Sequence, residues 1–394
     1  MQAEELCHKW LSGVMPGVHA KRLLALSATV EGAYRGGTLS VTGLGRAIRS
    51  EAKMKHSIKR ADRLCSNKHL QSEREEIYKQ MSMQLLRNNH KPILLVDWSD
   101  IDARRQFFLL RASLAVKGRS LTLYEEVHPK ATKERRSTHN AFLRTLKELL
   151  PPACTPVIVT DAGFRTPWFQ QVKSLGWDFI GRVRNREMVH ICPEREWIGA
   201  KTLYERATSK SRIFQDSQLT RSNPLECTLV LYKGKLKGRK RITKMGKTAR
   251  NHSSLVCAAR AREPWLLTTS LSSVSSEKIV SLYSKRMQIE ESFRDLKCPR
   301  FGLGLYHNRT YKLERMRILV MLGSLATNFA WMLGSIARSQ NLHKQFQANT
   351  TFSMNVLSNV FIGIQILRNS HLRIPWSFFK QHKLDFERQL YYST

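Results

Sequence analysis

The sequence predicts a mixed α/β fold on three observations. Short apolar runs, several closing on acids, recur between residues 92 and 184. One long amphipathic helix follows at about 276–298, and both ends of the chain carry helix-period apolar patterns. In the middle region the order is three strands, a helix, a strand, a helix and a strand, which is the order of a ribonuclease-H-like catalytic core. The expected architecture is that core with a β-rich insertion, plus N-terminal and C-terminal helical regions.

The first region, 1–90, reads as helical. Within it, TLSVTGLGRAI and KHSIKRADRLCSN form two helices with a short connection, resembling a helix-turn-helix. The second helix carries Lys55, Lys59, Arg60 and Arg63, either as a DNA-reading face or as a solvated one. The core's first part, 91–186, opens with PILLVDWSD, RQFFLLRASLAV and SLTLYEEVHP as strands, with a turn at Lys117-Gly118. A helix from about Thr138 to Leu150 follows, ended by Pro151-Pro152. PVIVTDAGF is a further strand, then come a helix from about Trp168 to Leu175 and the strand WDFIGRVR.

Residues 187–260 break this rhythm and read as the β-rich insertion, with strand-like pieces such as CTLVLY. Nine of the eighteen residues from Lys233 to Arg250 are Lys or Arg, among them Lys237, Arg239, Lys240 and Arg241. That run is a DNA-backbone clamp or a solvated loop. The core resumes over 261–310 with the strand EPWLLTTSL and the long helix. Residues 311–394 read as a C-terminal helical region rich in apolar and basic side chains. There Ile318 to Ala337 is free of charge for twenty residues. That is long enough for a bilayer, but the segment holds Ser324, Thr327, Asn328 and Ser335 and has Arg317 and Arg338 at its two ends. A buried helix is expected and no membrane partner.

Charge is the strongest bulk signal. Lys plus Arg number 66 and Asp plus Glu 31, a net +35, while hydrophobic residues make up 42%. The apolar content excludes wholesale disorder. An excess of this size repels itself unless a polyanion is the partner, because each neutralised phosphate releases counterions. The seven cysteines are scattered with no CxxC, which excludes a disulfide framework and implies free thiols in a reducing cytoplasm.

Two strand acids and one helix stripe carry the chemical signal. Asp97 and Asp161 each follow four or five apolar residues, where a carboxylate costs several kcal/mol to desolvate unless something positive meets it. Two such acids on neighbouring strands point to a hard divalent cation such as Mg²⁺. Asp100 and Asp102 are rivals to Asp97, but lie past the expected strand. On the long helix, at ~100° per residue, Tyr283, Arg286, Glu290 and Lys297 fall on one stripe beside the apolar Leu282, Ile289, Phe293 and Leu296. An ordinary amphipathic helix would account for the Arg286–Glu290 spacing alone.

The spacing Y-x2-R-x3-E-x6-K at these four positions resembles the signature of the insertion-sequence-four family of DDE transposases, and LLVDWSD, VTDAGF, EPWLLTTSL and YSKRMQIEESFRDLK extend the resemblance over nearly the whole chain. The resemblance implies that Asp97, Asp161 and Glu290 are the catalytic triad, holding two Mg²⁺ (or Mn²⁺) per active site. It implies that Tyr283, Arg286 and Lys297 bind phosphates at the transposon end, and that Trp265 stacks on a flipped base. Some relatives carry Trp directly after the signature Arg, where this chain has Met287. The implied partners are double-stranded DNA, both transposon ends and target, and a second copy of the chain in a homodimeric synaptic complex. The implied setting is the bacterial cytoplasm at the nucleoid. Two rivals remain: a ribonuclease-H-like nuclease that cuts without rejoining, and a transposase-derived DNA-binding protein that no longer cuts.

Overall fold

A computed structural model describes residues 3–379, apart from residues 37, 88, 185–186, 194–195, 235–247, 249–250, 253–254, 257–258, 260–261, 301, 352–353 and 370–373. The chain is mixed α/β, with eleven α-helices and ten strands among the described residues. It divides into two compact units. One comprises Met1–Pro156 with Met287–Thr394, and the other Val157–Arg286.

The first unit opens with five helices: α1 (Ala3–Val14), α2 (Ala20–Gly36), α3 (Val41–Ala47), α4 (Met54–Cys65) and α5 (Lys68–Leu86). Ser40 caps α3 by accepting the Gly43 N–H, and Asn67 caps α5 by accepting that of Leu70. In α4 the buried side Ser57, Ala61, Leu64 and Cys65 packs inward, while Lys55, Lys59 and Arg63 are exposed and Arg60 is half-buried. Three antiparallel strands follow, β1 (Ile93–Asp100), β2 (Phe107–Ala115) and β3 (Ser120–Pro129), ordered β3-β2-β1. The first strand runs three residues beyond Asp97, because β2 pairs with it as far as Asp100 opposite Phe108. Asp97 therefore sits inside a strand where the sequence places it at the end of one. Helix α6 (Arg136–Leu149) buries Phe142, Leu143 and Leu146.

The second unit starts with β4 (Val157–Thr160), α7 (Thr166–Ser174) and β5 (Asp178–Val183), a helix joining two parallel strands. Phe169 of α7 stacks on Phe179 of β5 with ring centroids 4.6 Å apart. Strands β6 (Met188–His190), β7 (Ile198–Gly199), β8 (Arg212–Leu219) and β9 (Leu225–Tyr232) fall in the stretch expected to be β-rich. They form no separate sheet. Strand β9 pairs with β10 (Trp265–Thr269), which pairs with β5, so the order is β4-β5-β10-β9-β8-β6-β7. Helix α8 (Ser276–Ser284), capped by Ser275 accepting the Lys278 N–H, closes the unit.

The chain then returns to the first unit in α9 (Met287–Lys297), α10 (Leu313–Ser339) and α11 (Asn359–Arg368). The sequence predicts one helix from Ser276 to Cys298, and the structure divides it at Lys285-Arg286. There the backbone tightens to three-residue bonds, Lys285 N–H to Leu282 O and Arg286 N–H to Tyr283 O. On each side of the division the apolar positions are buried, Leu282 in α8 and Ile289, Phe293 and Leu296 in α9. Helix α10 contains the long uncharged segment. By length and composition it could span a membrane, yet 83% of its most apolar window is buried inside the protein. It packs on β3 and α2, and crosses α11 so closely that a Cβ on Gly334 or Gly363 would collide with the backbone of the other helix. The six described cysteines are free thiols; Cys257 lies outside the described residues.

Candidate active site

Strand β1 and helix α9 supply the first unit's share. Asp97 is half-buried, and its Oδ1 accepts the N–H of Trp98 at 2.8 Å. The indole of Trp98 donates to Nε2 of His139 at 3.0 Å, and burial lowers the pKa of His139 to about 4, so it accepts as a neutral ring. Lys297, the last residue of α9, reaches back to β1. Its Nζ donates to Ser99 Oγ at 2.9 Å and lies 3.9 Å from Asp100 Oδ1. Burial pulls the Lys297 pKa down, against the upward pull of Asp100 and Asp97.

The rival acids have structural occupations. Asp100 Oδ2 accepts the hydroxyl of Tyr306 at 2.7 Å; burial alone would raise its pKa, but that bond and Lys297 outweigh it and hold it below the ordinary carboxylate range. Asp102 ties the loop after β1 by accepting the N–H groups of Gln106 and Phe107, each at 2.9 Å. Glu290 is exposed on α9. Its neighbour Glu291 pairs with Arg294 and lies 3.9 Å from Arg119.

The second unit gathers Asp161, Trp265, Tyr283 and Arg286. Asp161 follows β4 directly, half-buried, with Oδ1 accepting the Gly163 N–H at 2.8 Å. A Cβ at Gly163 would lie 3.0 Å from that oxygen, so glycine leaves the carboxylate its room. Tyr283 is 3% exposed, its ring edge-on to Trp265 at 4.9 Å, where the sequence reading sets it at the edge of the helix face. Burial raises its pKa, partly offset by Arg286 and Arg182. Trp265 opens β10, half-buried, also 6.1 Å from Tyr232. Met287 is 37% exposed.

Two sets of cations escape the sequence reading. Arg182 lies on β5 and Arg184 just past its end, two residues further on. Arg182 donates to the carbonyl of Pro264 at 3.3 Å, beside Trp265, and burial pulls its pKa down. The alternation was legible in GRVR, but nothing there marked which face it served. In the first unit, Arg104, Arg105, Lys130 and Lys133 line a cavity of about 650 Å³ with Trp98, Ser99, Asp100 and Phe108. One pair precedes β2 and the other follows β3, and the β2–β3 register, with Phe107 opposite Pro129, brings the two pairs together. Lys237, Arg239, Lys240 and Arg241 lie outside the described residues.

The donor chemistry of Asp97, Asp161 and Glu290 fits Mg²⁺, a hard cation that takes carboxylate oxygens. The backbone bonds to Asp97 and Asp161 fix carboxylate orientation as outer supports of metal ligands do. Asp97 and Glu290 belong to the first unit and Asp161 to the second. Among the described residues no three His, Cys, Asp or Glu side chains form a ready-made metal cluster.

No curated protein matches the sequence. A family model described as the transposase DDE domain matches residues 88–329, which is more than half of the chain and includes all three carboxylates. The chain therefore belongs to the family of DDE transposases.

Proposed function

We propose that the chain is a cut-and-paste transposase of the insertion-sequence-four type, resembling the transposon-ten transposase, built on a ribonuclease-H-like core. The observation that carries the reading is the family match across residues 88–329, with Asp97, Asp161 and Glu290 all inside it. At each element end, water nicks one strand and the freed 3′-hydroxyl attacks the opposite strand, making a hairpin. Water reopens the hairpin, and the 3′-hydroxyl then joins the target. Asp97, Asp161 and Glu290 would hold two Mg²⁺, which when bound supply activation of the attacking oxygen and stabilisation of the leaving one. Arg286 would grip a phosphate through its planar fork and Lys297 would act as a point charge. Cutting two ends together calls for two copies of the chain on DNA.

The test uses end sequences taken from the inverted repeats flanking the coding region. Nicking that needs Mg²⁺ or Mn²⁺, followed by joining of a pre-cut 3′ end, is expected. Cutting without joining would favour the plain nuclease. Binding without any cutting would favour a retired DNA-binding descendant.

Two further outcomes are expected. Trp265→Ala should leave a stable protein that still nicks but stalls at the hairpin. Unstacking a base costs a few kcal/mol and an aromatic platform returns about 1–3, so hairpin steps should slow by roughly ten- to a hundredfold. The half-exposed ring of Trp265 suits that role. A collapse in melting temperature with uniform loss of every step would make Trp265 a core residue only. Replacing Arg104, Arg105, Lys130 and Lys133 by Gln should flatten the log–log salt dependence of DNA binding by about 3–4 if each meets one phosphate. An unchanged slope would exclude their cavity from the DNA path.

A further inference from the structure

One row of side chains crosses the sheet of the first unit. In register, Asp97 on β1 lies opposite Arg111 on β2, and Arg111 lies opposite Glu125 on β3. Residues directly opposite on paired strands project from one face with Cβ atoms about 4.5–5.5 Å apart. Arg111 is 2% exposed and Glu125 1%.

Each nitrogen of the Arg111 guanidinium has a target. Its Nε donates to Glu125 Oε2 at 2.7 Å, and Nη2 lies at the same distance from that oxygen. Glu125 Oε1 accepts the hydroxyls of Tyr78 at 3.0 Å and Ser324 at 2.5 Å. Nη1 of Arg111 donates to Ser292 Oγ and Nη2 to Ser324 Oγ, both at 3.3 Å. The guanidinium also sits 5.1 Å from the ring centroid of Phe293. Ser292 and Phe293 are the second and third residues after Glu290 on α9. Replacing such a buried pair by apolar residues of similar volume is often close to neutral for folding, so folding alone does not account for the charges.

We propose that Arg111 is a positioning residue for the metal-binding carboxylates. Glu125 fixes the direction of the guanidinium. Through Ser292 and Phe293 the guanidinium then sets the rotation and depth of α9, and so the place of Glu290 relative to Asp97 in the neighbouring strand row. The proposal rests on reading Asp97 and Glu290 as metal ligands.

Removing the guanidinium itself would strand Glu125, so the two serines carry the test. Ser292→Ala cuts the link to the helix that bears Glu290. Ser324→Ala cuts the matching link to α10, which bears none of the three carboxylates. Mn²⁺ alone is titrated onto the full chain and the free ion is followed by electron paramagnetic resonance, with melting temperatures for every variant. Asp97→Ala marks the signal that belongs to the site. Ser292→Ala is expected to weaken that Mn²⁺ binding about tenfold, as loss of an outer-shell support does. Ser324→Ala is expected to leave it near the parent, even where the melting temperatures of the two variants fall alike. Equal Mn²⁺ binding in both serine variants, whether unchanged or equally weakened, would overturn the positioning role and leave a folding network. Mn²⁺ binding untouched by Asp97→Ala would instead overturn the metal-ligand reading, and the positioning role with it.

Discussion

Asp97→Ala, Asp161→Ala and Glu290→Ala are each expected to lower strand nicking by at least a thousandfold while DNA binding stays close to the parent's. A thousandfold corresponds to about 4 kcal/mol of barrier at 1.36 kcal/mol per tenfold, within the several kcal/mol that metal-assisted displacement supplies. Neighbouring acids make the controls. Glu291 pairs with Arg294 and Arg119 on the flank of α9, so Glu291→Ala should cost a little stability and leave nicking in place. Asp102 caps a loop and Asp100 holds Tyr306 and Lys297. Loss of nicking in Glu291→Ala with normal cutting by Glu290→Ala would shift the helix assignment by one residue. Loss in Asp100→Asn with normal cutting by Asp97→Ala would move the strand acid in the same way. Gel assays on a labelled end, with binding measured on the same oligonucleotide, separate these outcomes.

Elements were legible where the chain is locally apolar. LLV before Asp97, VIV before Asp161 and the run around FFLL each became strands, because such residues leave water on both faces of a packed sheet. Boundaries were less legible. The end of β1 depends on its partner strand, and pairing with β2 carries it past Asp97 to Asp100. The division of the long helix at Lys285-Arg286 has no Gly or Pro to announce it. The stripe argument accordingly holds on each side of the division: Glu290 and Lys297 share α9, and Tyr283 sits buried on α8. Least legible was the pairing of Arg111 with Glu125. Arg111 reads in sequence as one charge in an apolar strand and Glu125 as half of an acidic pair with Glu126, and only the β2–β3 register brings Arg111 and Glu125 face to face.

That pair sets the largest expected effect on stability. Arg111→Met alone leaves the Glu125 carboxylate buried with only the Tyr78 and Ser324 hydroxyls as described partners, and Glu125→Leu alone leaves a guanidinium at 2% exposure with two serines. Breaking a buried pair from one side costs about 3–5 kcal/mol, since the remaining charge keeps its desolvation penalty. The double variant removes both charges at once and should recover most of that loss, because an apolar pair of similar size has no such penalty. Denaturant unfolding of the parent, both single variants and the double variant would measure the recovery directly. A double variant as unstable as the worse single one would mean that the Tyr78 hydroxyl, left without its acceptor, dominates the balance, since Ser292 still donates to the Ile289 carbonyl at 2.9 Å and Ser324 to Thr122 Oγ1 at 3.4 Å. If stability returns as expected, nicking by the double variant becomes informative. A network needed only for folding would return cutting together with stability, whereas a guanidinium that places α9 would leave a stable protein that cuts poorly.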